Sequence, residues 1–301
     1  MKLMVTGAGG FLGAAVVRAA LSQGLEVVAT ARRPDPARLP VEHPRLAVAV
    51  ADMADADGFR RLLAAERPQA IVHSAWSGLT ARDRASAAQV KDNLLPCCAL
   101  VEAAGQAGVE TFVGIGSQAE YGPVDGVTTE ETLPQPTSVY GAAKLAACQL
   151  GRAIARQAGM RFAWLRLFAA YGPGDNPDWL IPSLIRQIRS GERPRLTAGT
   201  QKWDYLYIDD AAQAVLSVIA NPAASGTFNL ASGRPVAVRA LVEAIRDLVA
   251  PERALQFGEV PFAPDQIMHM EGSVEKLRRE TGWTPATPLI EGLRRTVEAA
   301  G

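Results

Sequence analysis

Three side chains in the middle of the sequence have the types and spacing that proton transfer to a carbonyl group requires. Tyr140 and Lys144 are four residues apart, and on a helix this spacing places the phenol and the ammonium on one face. A phenol with its ordinary pKa of about 10 is a weak acid at neutral pH, and a neighbouring cation lowers that pKa. Ser117 can hold the carbonyl oxygen while Tyr140 gives up its proton. Taken singly, Tyr140 could instead pack on a sheet, and Ser117 could cap a strand end.

A glycine-rich turn follows the first apolar run of the sequence. The letters TGAGGFLG place Gly7, Gly10 and Gly13 in the spacing G-x-x-G-x-x-G, at a predicted strand-to-helix junction. Glycines let the backbone approach a pyrophosphate, whose charge is bound by the free N–H groups at a helix N-terminus. The turn therefore predicts a dinucleotide site that includes Phe11 and Leu12. A tight turn with close helix packing would use the same glycines.

The end of the second predicted strand carries the residues that would meet the adenosine ribose. An NAD-selective site places an acidic residue there, whereas this sequence has Ala31 followed by Arg32 and Arg33. Guanidinium groups suit the 2′-phosphate of NADP, so NADP(H) is the preferred cofactor and NAD(H) remains possible. A solvated basic loop is the alternative. Asp52, followed by Met53, could accept hydrogen bonds from the adenine edge or form the N-cap of the next helix.

Short apolar runs alternate with amphipathic stretches through the first half of the sequence. This alternation is typical of a parallel sheet with helices on both faces, and right-handed crossovers then give a doubly wound α/β fold of the Rossmann type. The predicted strands are 3–5, 27–29, 46–50, 70–72, 112–115 and 162–168. The predicted helices are 11–23, 54–66, 87–107 and 140–158.

Proline and glycine become frequent from Gly172 onward, and the strict alternation lapses. We therefore predict a dinucleotide-binding Rossmann domain over residues 1–171, which also holds the serine, tyrosine and lysine. Residues 172–301 would form mainly a smaller C-terminal substrate-binding lobe, with some segments returning to the first domain.

Composition indicates the kind of partner. The chain has 301 residues, of which 48% are hydrophobic and 21% charged, and its 31 lysines and arginines balance 31 aspartates and glutamates. No net field would attract nucleic acid or an anionic membrane, so the expected partner is a small molecule. The sequence shows neither a leader-like segment nor an apolar run of about 20 residues, which predicts a cytoplasmic protein. Cys97, Cys98 and Cys148 have neither disulfide nor metal-ligand spacing, so we expect reduced packing residues and no metal.

With these motifs assembled, the chain resembles the extended short-chain dehydrogenase/reductase family, in its NAD(P)-dependent nucleotide-sugar epimerase, dehydratase and 4-ketoreductase branch. The resemblance spans nearly the whole sequence. The matching stretches are VTGAGGFLG at 5–13, HSA at 73–75, Asn93, SQAEYG at 117–122, YGAAK at 140–144, LRLF at 165–168, YGPG at 171–174 and YIDD at 207–210.

The resemblance implies roles for particular side chains. Ser117, Tyr140 and Lys144 would be catalytic, and Tyr140 and Lys144 would also contact the cofactor. The other cofactor contacts implied are His73, Ser74, Ala75, Asn93 and the backbone near Phe168. The substrate would be met by Trp76, Ser117, Gln118, Ala119, Ala169, Arg195 and Trp203. Without the resemblance, His73 would be interpreted only as a polar residue at the end of a strand, and Asn93 only as a residue at the start of a helix.

Departures from the family pattern bear on the reaction. The sugar 4,6-dehydratases of this family have an Asp-Glu pair where this chain has Gln118 and Ala119. The side chains of Gln118 and Ala119 cannot act as an acid or a base. Elimination is thereby disfavoured, which leaves ketoreduction or epimerisation. Ala169 and Trp203 replace an asparagine and an arginine of the family, which weakens the expected diphosphate site unless another cation replaces them. Trp203 could stack on a base or sugar, or belong to the core. The replacement candidates are Arg193, Arg195, Lys202 and Arg234.

The leading hypothesis is an NADPH-dependent reductase of a 4-keto-6-deoxy nucleotide sugar, with hydride added at C4 and Tyr140 as proton donor. The alternatives are an NAD-dependent nucleotide-sugar 4-epimerase, a reductase of a non-sugar carbonyl compound and an NADP(H)-sensing binding protein. The small and apolar residues of the predicted helices 87–107 and 140–158 resemble a family dimer interface, so a homodimer is expected.

Overall fold

A sheet of seven parallel strands forms the centre of the computed structural model, which describes residues 1–40 and 42–301. The strands of the chain are β1 Lys2–Thr6, β2 Glu26–Ala31, β3 Leu46–Val50, β4 Ala70–His73, β5 Thr111–Ser117, β6 Val127–Thr128, β7 Arg161–Leu167, β8 Ala169–Tyr171, β9 Lys202–Trp203, β10 Tyr205–Tyr207, β11 Gly226–Leu230, β12 Val236–Ala237 and β13 His269–Gly272. The large sheet has the order β11-β7-β5-β4-β1-β2-β3.

Ten α-helices surround the sheets in the described residues. They are α1 Phe11–Ser22, α2 Ala56–Glu66, α3 Ala81–Arg84, α4 Leu95–Gln106, α5 Val139–Gln157, α6 Leu180–Ser190, α7 Ile208–Ala220, α8 Val238–Val249, α9 Glu275–Thr281 and α10 Leu289–Ala299. None of them is long and apolar enough to cross a membrane.

The apolar runs of the sequence explain the central strands. β4 and β5 are buried along their whole length, because helices cover both faces of a parallel sheet. One hydrophobic core packs α1 and α7 against one face, and a second packs α2, α4 and α5 against the other. The chain runs outward from β1 through β2 and β3, and then outward on the other side from β4. This reversal defines a doubly wound Rossmann-type sheet and leaves a crevice at the carboxyl ends of β1 and β4.

Most predicted element boundaries differ from the structure by one to three residues, and three of these differences are near the predicted site. α2 begins at Ala56 because Asp55 is its N-cap and accepts a hydrogen bond from the Gly58 N–H. The N-cap interpretation of Asp52 was therefore wrong. The helix predicted from residue 87 starts as a π-helical turn, Val90–Leu94, and continues as α4. The strand predicted to include Phe168 ends one residue earlier.

The second half of the chain contributes to the large sheet and also builds two small sheets. β11 pairs with β7 as an edge strand of the large sheet. β8 and β10 form a parallel pair, and the remaining small sheet has the order β12-β9-β13-β6. The division of the chain near residue 171 into two domains stays a prediction.

Candidate functional site

A cleft of about 720 Å³ lies at the carboxyl ends of the central strands. Its position follows from the topology, because parallel strands deliver the residues after them to one edge of the sheet. Eleven residues predicted to contact cofactor or substrate line this cleft: Gly7, Gly10, Arg32, Arg33, Asp52, Met53, His73, Ser74, Ala75, Trp76 and Asn93.

The glycine turn has no room for side chains. Gly7 has a φ of +69°, and a Cβ there would stand 2.6 Å from the backbone nitrogen of Ala75. A Cβ on Gly13 would stand 2.2 Å from the carbonyl oxygen of Gly7. Gly10 is the N-cap of α1 and offers no capping side chain, so the N–H groups of Phe11 and its neighbours Leu12 and Gly13 remain available to an anion. The turn therefore fits a dinucleotide pyrophosphate.

Replacing Gly13 with alanine is expected to weaken dinucleotide binding by roughly tenfold or more, and to lower stability by about 1–3 kcal/mol. The added methyl group would press on a backbone oxygen that cannot rotate away. Fluorescence titration with NADPH and NADH, together with thermal unfolding, measures both effects. Gly159→Ala is the control, since Gly159 has a φ of +66° and a Cβ there would meet nothing within 4 Å. That variant should lose stability only, and unchanged dinucleotide affinity in Gly13→Ala would contradict the pyrophosphate assignment.

The arginines predicted to select the cofactor are exposed at the mouth of the cleft. Arg32 and Arg33 follow β2 directly, and in the described residues neither forms an ion pair or a side-chain hydrogen bond. Their guanidinium groups are thus available to a phosphate. Asp52 also lines the cleft, and one of its oxygens accepts a hydrogen bond from the Ala54 N–H. Its other oxygen could meet an adenine edge.

The floor of the cleft holds a buried histidine. His73 is the last residue of β4, and its Nδ1 lies 2.8 Å from the Thr6 hydroxyl. Burial, and to a lesser degree the charge of Lys144, lowers the pKa of His73 to about 3. The imidazole is therefore neutral, and within residues 1–40 and 42–301 its Nε2 has no hydrogen-bond partner. Ser74 donates its hydroxyl to the Thr6 carbonyl.

A hydrogen-bond network fixes the segment after β4. The Trp76 indole donates to Gln89 Oε1 at 2.8 Å, and the Asn93 amide donates to the same oxygen at 3.0 Å. Asn93 also accepts from the Ser77 N–H at 2.8 Å. The π-helical turn that carries Asn93 therefore holds Trp76 between the cleft and the predicted catalytic residues.

The predicted catalytic residues come together beside Trp76. β5 ends at Ser117, and α5 carries Tyr140 and Lys144 on its first two turns. The Ser117 side chain lies close enough to the Tyr140 phenol to lower its pKa. Lys144 donates to the Ile115 carbonyl at 2.6 Å, and its Nζ lies 3.7 Å from the centroid of the Trp76 ring. The rings of Trp76 and Tyr140 meet edge to face at 6.1 Å.

Burial changes the acidity of both groups on α5. It raises the pKa of Tyr140, and the nearby Ser117 side chain and Arg84 charge act in the opposite direction. The spacing of Tyr140 and Lys144 predicts a lowered phenol pKa, and this prediction is wrong because desolvation outweighs the effects of Ser117 and Arg84. Burial also lowers the pKa of Lys144 to about 7. The lysine thus titrates near neutral pH.

A buried ion pair behind Ser117 was not foreseen from the sequence. Glu120 has no solvent exposure, and its Oε2 accepts from the Arg166 Nε at 2.7 Å. Its Oε1 accepts from the Ser117 N–H at 2.9 Å and from the Trp164 indole at 2.8 Å. The guanidinium also lies over the Tyr121 ring. This network fixes the backbone that carries the Ser117 hydroxyl.

The residues predicted to meet substrate fall into two groups. Gln118 and Ala119 form a 3₁₀ turn directly after Ser117, close to Tyr140. Ala169 of β8 pairs with Tyr205 of β10 and therefore lies near Trp203. The Trp203 indole donates a hydrogen bond to the Ile267 carbonyl.

Arg195 lies apart from both groups, and Phe168 directly precedes Ala169. Arg195 is exposed on the segment before β9 and makes no ion pair or side-chain hydrogen bond to any residue that the structure describes. Phe168 uses its backbone N–H in a bond to the Leu230 carbonyl and contacts Gly272.

The three cysteines are free thiols. Cys97 and Cys148 are buried, and burial raises the pKa of the Cys97 thiol to about 12. Such thiols are unreactive packing groups at neutral pH. No cluster of three or more His, Cys, Asp or Glu side chains suited to a metal ion occurs in residues 1–40 and 42–301.

Comparison with known proteins gives consistent matches to this geometry. A dTDP-glucose 4,6-dehydratase from Streptomyces griseus is 29% identical over 310 residues, which cover 98% of this chain and 92% of that protein. A UDP-glucose 4-epimerase from Thermotoga maritima, solved with UDP-glucose, has a TM-score of 0.90 at 25% identity and covers 99% of this chain and 98% of that one. A dTDP-glucose 4,6-dehydratase from Streptomyces venezuelae, solved with NAD bound, has a TM-score of 0.89 at 27% identity. The match covers 99% of this chain and 96% of that one.

The family model with the description "NAD dependent epimerase/dehydratase family" matches residues 3–231. This range contains the glycine turn, the cleft and the Ser117, Tyr140 and Lys144 cluster. The resemblance predicted from the sequence is confirmed, as is the prediction of an NAD(P)-dependent enzyme. The chain belongs to the NAD dependent epimerase/dehydratase family.

Proposed function

We propose that the chain is an NADPH-dependent reductase of a 4-keto-6-deoxy nucleotide sugar, in which C4 receives hydride and Tyr140 donates the proton. The packing of Tyr140 and Lys144 against Trp76, which also lines the dinucleotide cleft, carries this proposal. A dinucleotide bound in the cleft would supply the hydride.

Each side chain of the cluster has a separate task in this proposal. The Ser117 hydroxyl holds the carbonyl oxygen of the sugar beside the Tyr140 hydroxyl. Tyr140 transfers its proton to that oxygen as negative charge develops there. Lys144 keeps an ammonium group beneath the site and stabilises the phenolate that remains. Glu120 holds the Ser117 backbone in place through a 2.9 Å hydrogen bond.

The turn after Ser117 favours reduction over elimination. Removing water from a sugar needs an acid and a base near the carbon that loses its hydroxyl group. Gln118 and Ala119 occupy the turn and have no group that can transfer a proton at neutral pH. The named dehydratases therefore support the nucleotide-sugar class of substrate, and the turn argues against their reaction.

Two arginines support the NADPH part of the proposal. Arg32 and Arg33 are exposed beside the cleft, and a 2′-phosphate would give them the anion that they lack in the described structure. A 4-epimerase is the second candidate, because the solved relatives include a UDP-glucose 4-epimerase and an enzyme with NAD bound. Such an enzyme would retain NAD and turn over without added cofactor.

Measurement of cofactor preference tests the proposal. The purified protein is titrated with NADPH and NADH, and NADPH consumption is then followed with CDP-, dTDP- and GDP-linked 4-keto-6-deoxyhexoses. We expect Arg32→Ala/Arg33→Ala to weaken NADPH binding by roughly tenfold or more while NADH binding is preserved, because the lost hydrogen bonds are charge-assisted. Arg279→Ala removes an exposed arginine of α9 and serves as the control.

Several outcomes would decide against the reductase. Preference for NADH, or copurified NAD with no NADPH consumption, would move the assignment to the epimerase. Consumption with simple ketones alone would indicate a non-sugar carbonyl substrate, and dinucleotide binding without any turnover would indicate an NADP(H)-sensing protein. The homodimer through α4 and α5 stays a prediction, to which the exposed side chains of Leu95 and Leu150 lend support.

A further inference from the structure

A cation outside the predicted catalytic set lies against Tyr140. Arg84 is the last residue of α3, and its Cζ is 4.6 Å from the centroid of the Tyr140 ring. The side chain is half-buried. No carboxylate within ion-pair distance and no hydrogen bond from the Arg84 guanidinium occurs among the residues that the structure describes. The guanidinium therefore keeps its donors available at the place where the substrate would react.

Two acidic side chains of this region, Glu120 and Asp83, already bind other groups and do not pair with Arg84. Glu120 is the acidic side chain behind the site, and both of its oxygens are already bound by Arg166, Trp164 and Ser117. Asp83 precedes Arg84 but accepts a hydrogen bond from the Thr80 hydroxyl. A partly buried cation without a partner is costly, so this arrangement favours an anion supplied by a ligand.

The backbone segment that carries Arg84 is held in place by Gln89. Gln89 donates to the carbonyls of Gly78 and Asp83 at 2.7 and 3.2 Å, which ties both ends of the α3 segment to one side chain. The same Gln89 accepts from the Trp76 indole. α3 is thus coupled to the residue that stands between the cleft and the catalytic cluster. A backbone held in this way limits the positions that the Arg84 side chain can take, so less freedom is lost on binding.

We infer that Arg84 forms an acid-binding subsite, which takes a carboxylate of the substrate beside the carbon that reacts at Tyr140. A guanidinium can bind a carboxylate through two parallel N–H···O bonds, which fixes the orientation of the sugar as well as its charge. The inference rests on the nucleotide-sugar part of the proposed function and goes beyond it. Sugar acids would be a second class of ligand for the same site, in addition to the 4-keto-6-deoxy sugars.

Paired ligands that differ only in the acid test this subsite. UDP-glucuronic acid and UDP-glucose form one pair, measured by calorimetry on the 301-residue protein with NADP⁺ present. D-glucuronate and D-glucose form a second pair, measured by ligand-observed NMR, and it does not depend on the nucleotide. The variants are Arg84→Gln and Arg84→Lys. Arg82→Gln is the matched control, because Arg82 is an exposed neighbour on the same helix with the same charge.

The expected result is a preference of about tenfold or more for the acid in each pair. Arg84→Gln should abolish this preference and leave the affinity for UDP-glucose unchanged, Arg84→Lys should keep part of it, and Arg82→Gln should resemble the wild type. A purely structural stacking role for Arg84 predicts instead that Arg84→Gln weakens both members of a pair equally.

Two outcomes would overturn the subsite: equal affinity for the two members of both pairs, or no binding of either acid. If UDP-glucuronic acid and UDP-glucose both fail to bind while D-glucuronate is still preferred through Arg84, the nucleotide-sugar function is wrong and the acid-binding subsite stands. The failure of each proposal is therefore visible on its own.

Discussion

Tyr140→Phe should lower kcat for carbonyl reduction by about 10²–10⁴-fold, the usual contribution of a positioned acid–base group. The phenylalanine ring keeps the contacts of Tyr140 with Trp76 and Arg84 and removes only the hydroxyl that would donate the proton. Dinucleotide affinity and the melting temperature should therefore stay near those of the wild type. The measurement is NADPH oxidation with the substrate identified from the panel, alongside NADPH titration of the variant.

The pH dependence of the wild type provides a second readout of the same cluster. Because the pKa of Lys144 lies at about 7, its ammonium is lost as the pH rises through that value. If the ammonium stabilises the phenolate, kcat should decline as the pH rises above neutrality. Lys144→Met should remove this decline. A Tyr140→Phe enzyme with kcat close to that of the wild type would show that another group donates the proton.

Lys144 should also affect stability in a defined direction. Its folded-state pKa of about 7 is below its ordinary value of 10.5, so the unfolded chain binds more protons between these two pH values. The free energy of unfolding contributed by this group therefore rises with pH over that window.

Arg166→Met is expected to destabilise the protein by about 3–5 kcal/mol, because it leaves the Glu120 carboxylate buried without its cation. Glu120 is fully buried and the Arg166 side chain is only 5% exposed, so water cannot replace the lost partner. Urea unfolding measures the loss. The comparison variant is Arg60→Met, which breaks an exposed pair with Asp57 and should change stability by about 1 kcal/mol or less.

A double-mutant cycle separates the ion pair from general packing. Glu120→Gln removes the charge but keeps an oxygen that can accept from the Ser117 N–H and the Trp164 indole. In the Glu120→Gln background, Arg166→Met should therefore be less destabilising than it is in the wild type. Strictly additive losses would show that the two residues act independently and would refute the pairing.

The sequence was sufficient for the parallel sheet and for the cofactor cleft. Apolar runs such as those in β4 and β5 are buried on both faces, and this pattern is readable without a structure. The residues at their carboxyl ends converge by topology alone, which is why Gly7, Arg32 and His73 could be assigned to one cleft. Two-residue strands such as β6 and β9 are too short to show any periodicity.

Other features depend on long-range contacts and could not be derived in this way. Arg84 reaches Tyr140 across 56 positions of the sequence, the difference between their numbers, and nothing near Arg84 marks that contact. The Glu120–Arg166 ion pair could have been predicted from the sequence. Each residue is a charged side chain among buried neighbours, and a buried charge needs a partner. Pairing them would have revealed the ion pair. The raised pKa of Tyr140 required knowledge of its burial.

β11 determines when the large sheet can be completed during synthesis of the chain. It lies beside β7, yet residues 168–225 separate the two strands in sequence. Until residue 230 has left the ribosome, β7 is an outer strand whose backbone donors and acceptors are open to other chains. A nascent or truncated chain that ends after β8 would therefore tend to associate with its own copies. β11, which is synthesised after the other strands of the large sheet, therefore covers the edge that β7 would otherwise expose.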